Sequence, residues 1–209
     1  MSDTQRTPVV PLEAGAGPDN PPCPACGEPL FGWLSALPGL DAPVSRCESC
    51  GLGVVGADAE PEEALRELNR HESDGTVRIA NRTSFAAALG NAGWASLEPG
   101  ARYLFTVESV RRLVARRDQV VKTRRWAPLA GLAVTWQTLL NSVTFGHDVA
   151  LSALGGTQAV PASRPWQRRI DALASIVLAL PALVIALPIE LCGGIVGRGA
   201  VVNLRLELL

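Results

Sequence analysis

The sequence predicts a small α+β protein with an N-terminal zinc ribbon, short helices and a small antiparallel sheet, and C-terminal hydrophobic helices. Three observations predict it. Two Cys-x-x-Cys-Gly pairs stand near the N-terminus, short apolar stretches broken by many of the 20 Gly and 16 Pro follow, and the last third holds a long uncharged run. The 209 residues are 47% hydrophobic and 19% charged, with a mean hydropathy of +0.19. That is enough apolar side chain for a core and argues against a largely disordered chain.

Residues 1–22 contain five prolines and almost no apolar pattern, and read as a disordered tail. The predicted ribbon covers residues 23–56. Cys23-Pro24-Ala25-Cys26-Gly27 and Cys47-Glu48-Ser49-Cys50-Gly51 are two metal knuckles. Two residues between the cysteines let each turn aim two sulfurs at one ion, and the glycine after the second ligand supplies positive φ. Cys23, Cys26, Cys47 and Cys50 therefore read as the ligands of one structural Zn2+, with no open position for water. No apolar segment of the export type follows Met1, so a reducing cytosolic setting is expected, in which thiolates outlast disulfides. Four reduced cysteines without metal are the alternative.

Gly51-Leu52-Gly53-Val54-Val55-Gly56 matches the spacing of the dinucleotide fingerprint. That fingerprint needs a buried strand just upstream, whereas Ser45–Cys50 here is a polar knuckle. A knuckle glycine followed by a short ribbon strand explains the same letters.

Residues 57–106 read as a small α/β segment. Asp58 to Arg70 places acids at its start and Arg70 at its end, in accord with a helix dipole. Ser73-Asp74-Gly75 is a turn, Thr76–Ala80 a strand, and Ser84–Leu89 a helix capped by Thr83 or Ser84. Trp94–Leu97 and Tyr103–Thr106 flank a turn at residues 98–101 and suggest a hairpin.

Residues 107–126 read as one basic amphipathic helix capped by Thr106. Val107, Val110, Leu113, Val114 and Val121 line one side, and Arg111, Arg112, Arg116, Arg117, Lys122, Arg124 and Arg125 line the rest, up to Trp126. Guanidinium groups for anionic headgroups and an indole for the boundary make these residues a candidate membrane-surface anchor. Nucleic-acid phosphate would satisfy the same charges, and a solvated helix face is the plain alternative. Charge is divided along the chain: residues 1–100 hold 14 acids and 6 bases, residues 101–209 hold 6 acids and 13 bases. The basic half is also the apolar half, which points to an anionic membrane surface before nucleic acid.

Residues 127–209 read as a hydrophobic helical region ending in a strand. Ala127–Gly146 is uncharged but carries Thr135, Gln137, Thr138, Asn141 and Ser142. Ala172–Ile189 is uncharged and nearly all Ala, Leu, Ile and Val. At 1.5 Å per residue it reaches about 27 Å, close to the hydrocarbon thickness of a bilayer. Pro181 and Pro188 interrupt its hydrogen bonding, and a single crossing would part the C-terminal strand from a cytosolic ribbon. A shallow or re-entrant helix avoids that conflict, and a buried core or dimer helix is the alternative. In Val201–Leu208, Val202, Leu204, Leu206 and Leu208 alternate with polar residues, the pattern of a half-buried strand that needs a partner.

CPACG and CESCG, together with NRTSFAAALGNAGW at 81–94 and GRGAVVNLRLEL at 197–208, resemble the two ends of a class I S-adenosylmethionine-dependent methyltransferase with an N-terminal zinc ribbon. The resemblance implies a truncated relative, because the strands and glycine-rich loop of the cofactor site have no counterpart between Gly56 and Thr76. It transfers no cofactor or catalytic residue.

His71 and His147 each neighbour an acid in sequence, but neither comes with a nucleophile in a recognisable setting; both read as surface or capping residues. Cys192 reads as a small packing residue, and Glu190 as the point where the apolar segment surfaces or as a functional acid. The expected protein is a zinc-ribbon protein on the cytoplasmic face of a membrane, acting as a binding or accessory module without turnover. A methyltransferase subunit completed by a partner chain and a zinc-dependent nucleic-acid binder are the alternatives. A protein partner or a second copy is compatible with each.

Overall fold

The computed structural model describes residues 20–34, 42–56, 59–97, 100–155, 160–162 and 164–209. Most of the expected tail, the tip of the ribbon hairpin, Asp58, and Glu98 and Pro99 of the expected turn lie outside the described residues. The architecture is α+β, with two four-stranded antiparallel sheets, short helices and one long apolar helix.

The first sheet contains β1 (Leu30–Leu34), β2 (Val44–Cys47), β3 (Gly53–Val55) and β6 (Tyr103–Leu104), in that order. β3 grows directly out of the second knuckle, so the glycine-rich stretch is a ligand turn followed by a strand. β6 pairs with β3, with Val54 opposite Tyr103. Trp94–Leu97 is not a strand, and the expected hairpin between it and Tyr103–Thr106 does not form. Trp94 and Leu97 are apolar because they fill the core beside Leu34, Val44, Val55 and Leu104.

The second sheet runs β4 (Glu72–Ser73), β5 (Thr76–Ala80), β8 (Val201–Leu208), β7 (Gln119–Trp126). Asp74 and Gly75 both hold positive φ, at 51° and 70°, and close the β4–β5 hairpin as an Asp-Gly turn. β8 finds a partner on each side: Val77 pairs with Leu204, and Val121 with Leu206. Its buried residues Val202, Leu204 and Leu206 cover a core shared with α1 (Pro61–Arg70), α3 (Val107–Ala115) and the knuckle cysteines.

The basic segment departs from expectation. The helix capped by Thr106 ends at Ala115; Asp118 takes φ 55°, and residues 119–126 form β7. Thr106 and Ser109 exchange the two hydrogen bonds of a capping box, and Val107, Val110, Leu113 and Val114 are buried as the periodicity requires. Beyond Asp118 the β-branched Val120, Val121 and Thr123 suit a strand, and pairing with β8 satisfies backbone groups along that whole edge. Lys122 is the extra residue of a bulge between Val121 and Thr123.

Three further helices complete the chain: α4 (Pro128–Asn141), α5 (Val149–Ala153) and α6 (Pro165–Ile195). α4 packs against α6 and against α2 (Phe85–Gly90), and α2 also meets α6 near Gly193. α2 is capped by Ser84, whose Oγ accepts from the Ala87 amide. Chain leaves the second sheet at Trp126, passes through α4 and α5, and returns through α6 to Val201, whose carbonyl accepts from the Ala127 amide. Both ends of the helical segment are thus rooted in one sheet.

Candidate metal centre and the apolar helix beside it

The two knuckles face each other. Cys23 Sγ lies 3.5 Å from Cys50 Sγ and Cys26 Sγ lies 3.4 Å from Cys47 Sγ, and all four sulfurs fall within 4.8 Å of one another. Four sulfurs at zinc–thiolate bond lengths stand roughly 3.8 Å apart in a regular tetrahedron, so a small outward adjustment fits an ion. Each turn closes the same way: the Gly27 amide donates to the Cys23 carbonyl and the Gly51 amide to the Cys47 carbonyl. Gly27 and Gly51 hold φ of 82° and 75°, which a β-carbon would strain. Cys23, Cys47 and Cys50 are buried and Cys26 half-buried, so the cluster is closed to an added ligand.

Hydrogen bonding within the cluster favours charge on one sulfur. The Cys50 thiol hydrogen-bonded to Cys23 holds the Cys23 thiol down at about 5, while that same bond and burial push Cys50 up. Burial pushes Cys26 up.

The centre is tied into the fold by residues that cysteine spacing does not reveal. Thr106 Oγ1 donates to the Cys50 carbonyl at 2.6 Å, so one hydroxyl caps α3 and holds the second knuckle. Arg82 donates to the Gly51 carbonyl and stacks 4.0 Å from the Trp33 ring. Burial, with Arg46 nearby, draws its guanidinium down to about 10, still charged at neutral pH. Arg112 reaches Ser49 Oγ on the knuckle. Arg82 and Arg112 both place positive charge beside the cysteine cluster.

The candidate surface residues divide between two elements. Arg111 and Arg112 stand on α3, Arg116 and Arg117 in the turn after it, and Lys122, Arg124, Arg125 and Trp126 on β7. Several are engaged: Arg112 with Glu108, Arg117 with Glu62, Lys122 with Glu207, and Arg124 with the Gly197 carbonyl. Arg116 and Arg125 are exposed. Trp126 turns inward, its Nε1 donating to Glu190 Oε1 at 2.7 Å.

Glu190 does not surface. It is 3% exposed, and its carboxylate also accepts from Thr135 Oγ1 at 2.8 Å and from the Ala200 amide at 3.0 Å. Asp171, near the other end of α6, is 1% exposed and accepts from the Phe145 and Gly146 amides, each at 2.8 Å. The polar residues Thr135, Gln137, Thr138 and Asn141 of α4 and Ser175 of α6 are all buried: Thr135 bonds to α6 through Glu190, whereas Thr138 and Asn141 bond to the Ala95 amide and the Gly93 carbonyl of the head. Gln137, Asn141 and Asp148 form a chain of hydrogen bonds. His147 is buried as well, not a surface residue, with Nδ1 3.2 Å from Asp148 Oδ2. The signal for this interior was the spacing of Thr135, Thr138 and Asn141 by threes on an otherwise apolar helix.

The outer side of the same helix is the reverse. Every exposed residue from Ala172 to Val196 is apolar, Cys192 among them, which therefore does not pack inside. α6 is long and apolar enough to cross a membrane, and only 17% of its most apolar window is buried. His71 lies elsewhere, on the rim of a cavity of about 720 Å3 lined by Arg70, Arg78, Trp94, Tyr103 and Asn203.

No family model, curated protein or solved structure matches this chain.

Proposed function

We propose that the protein is a membrane-associated zinc-ribbon module that binds or presents a partner rather than turning over a substrate. The observation that carries the membrane half is the inverted polarity of the α4–α6 layer. Buried residues there include Thr135, Gln137, Asn141, Asp148, Asp171 and Glu190, while the exposed ones on α6 from Ala172 onward are Leu, Ile, Val, Ala, Pro and Cys. Water selects the opposite arrangement; lipid selects this one, because it solvates alkyl groups and leaves polar groups to pair with one another. A contiguous apolar face of this size is rare on a soluble monomer.

Zinc is the metal that best suits a closed set of four thiolates in a tetrahedron: it has no geometric preference of its own and no redox chemistry to disturb the ligands. The ion would crosslink two chain segments within the core that also receives α1, α3 and β8, so it supplies folding energy to the head. A cytoplasmic-side location follows from the need to keep four thiols reduced. The methyltransferase resemblance adds no residue to this reading: the described strands all pair antiparallel, and no parallel switch point lies among them.

The test is a vesicle flotation with metal analysis. Full-length protein is expected to carry one zinc ion per chain and to float with anionic vesicles. A monodisperse, detergent-free protein that stays at the bottom of the gradient would end the membrane reading, and a chain without metal would end the zinc reading.

A further inference from the structure

We infer that α6 lies in the plane of an anionic phospholipid surface, with its outer face among the acyl chains and both of its ends on the same side, and does not cross the bilayer. The inference rests on the membrane reading above and decides its geometry.

The outer face of α6 is apolar and wide. Leu173, Ile176, Leu180, Val184, Leu187 and Leu191 recur every three or four residues, all exposed, and Val177, Leu183 and Ile185 are exposed beside them. The inner face is held to the rest of the protein along its length. Asp171 grips the 145–146 amides, Trp136 Nε1 donates to the Ala179 carbonyl, and Glu190 grips Trp126, Thr135 and the Ala200 amide. α4, which forms that inner wall, is itself bonded on its far side to the head. The Ala95 amide donates to Thr138 Oγ1 at 3.1 Å, and Asn141 Nδ2 donates to the Gly93 carbonyl at 3.0 Å. A helix standing upright through the bilayer would draw α4, α2 and the polar backbone around Gly93 into hydrocarbon with it. A helix lying flat immerses only its exposed apolar face.

Two more features set the depth. Pro181 and Pro188 are exposed and have no N–H, so the carbonyls of Val177 and Val184, four residues earlier, lose their helical donors. Water and headgroups at an interface supply donors that mid-bilayer lipid lacks. Both acids of α6 point inward, whereas Arg168 and Arg169 at its start and Arg198 beyond its end are exposed, with Trp166 half-exposed beside the first pair. The exposed charge along this edge is thus positive only, complementary to anionic headgroups, and the indole sits at the boundary depth.

The experiment uses the full zinc-loaded chain carrying Cys192→Ser, with a single further cysteine introduced by Arg169→Cys or by Arg198→Cys. Each is synthesised in the presence of sealed vesicles of phosphatidylcholine and phosphatidylglycerol, then treated from outside with a membrane-impermeant maleimide. The Cys192→Ser parent subtracts any reaction of the zinc ligands. Both sites are expected to label fully from outside, with no gain on detergent lysis. Complete loss of labelling at one of positions 169 and 198 until lysis, with the other labelled from outside, would show a crossing and overturn the inference while leaving membrane association intact. A protein that dimerises and leaves the vesicles behind would overturn the membrane reading itself.

Discussion

Trp126 and Glu190, 64 positions apart, meet through a 2.7 Å hydrogen bond from the indole Nε1 to the carboxylate Oε1. Gly194 and Gly199 pack against the same indole, where a β-carbon would stand about 2.5 Å from the ring atoms. The bond pins the return of α6 to the last residue of β7, at the place where the long helix joins the sheet.

Glu190→Ala is expected to destabilise the protein by about 3 kcal/mol, since it leaves Trp126, Thr135 and the Ala200 amide as buried donors without an acceptor. Glu190→Gln keeps one acceptor oxygen and is expected to lose roughly half as much. Urea denaturation of the zinc-loaded chain in detergent reads both.

Thr106→Ala removes the cap of α3 and the tie to the Cys50 carbonyl together. The expected cost is about 2 kcal/mol, the upper end for a lost cap, and Thr106→Ser is expected to restore most of it. Chelator-induced zinc release should also quicken in the alanine variant. Unchanged release would show that the hydroxyl serves the helix alone.

Cys47→Ser is expected to abolish stoichiometric zinc and to unfold β1 and β2. Three thiolates do not close the tetrahedron, and structural zinc contributes on the order of 10 kcal/mol to such folds. Metal analysis and the melting temperature check it. Acid should act the same way on the wild type, because protons compete with the ion for each sulfur.

Tyr103 gives a pH dependence at the alkaline end. Burial, and then the neighbouring Glu63 carboxylate, push its phenol up to about 12 from an ordinary value near 10. Below pH 10 the phenol is neutral in both the folded and the unfolded chain, and its contribution is fully present. Between pH 10 and 12 only the unfolded chain ionises, so stability falls by about 2 kcal/mol as pH rises through that window. Tyr103→Phe is expected to flatten this part of the curve, measured by urea midpoints.

Ile176→Glu with Val184→Glu places two carboxylates on the outer face of α6, where both side chains are mostly exposed. Vesicle binding is expected to drop by at least about a hundredfold, from the loss of two buried aliphatic side chains at roughly 1.5–3 kcal/mol each. Zinc content and melting temperature should not change, which separates a lipid-facing role from a structural one.

Local spacing was enough for several elements. Thr76–Ala80 and Val201–Leu208 have the bounds that alternation predicts, and the caps Ser84 and Thr106 stand where their hydroxyls were expected. The basic segment was legible only to Ala115. Val121 stands seven places after Val114, which a helical repeat also allows, and the preference of Gln119–Trp126 for a strand comes from an unpaired edge of β8, more than 70 residues further on. Glu190 was visible as the one acid after an uncharged run, but its burial depends on donors from β7, α4 and the residue before β8, three elements that no local window contains.

By itself the sequence determined the four clustered cysteines and their two turns, the capped helix starts, the alternating last strand and the apolarity of α6, because each is a property of residues a few places apart. Only the tertiary structure decided that β7 is a strand, that the acids of α6 face inward, and that its alkyl groups face out. These depend on which distant donors and edges come within hydrogen-bond reach, and that is settled when the segments pack together.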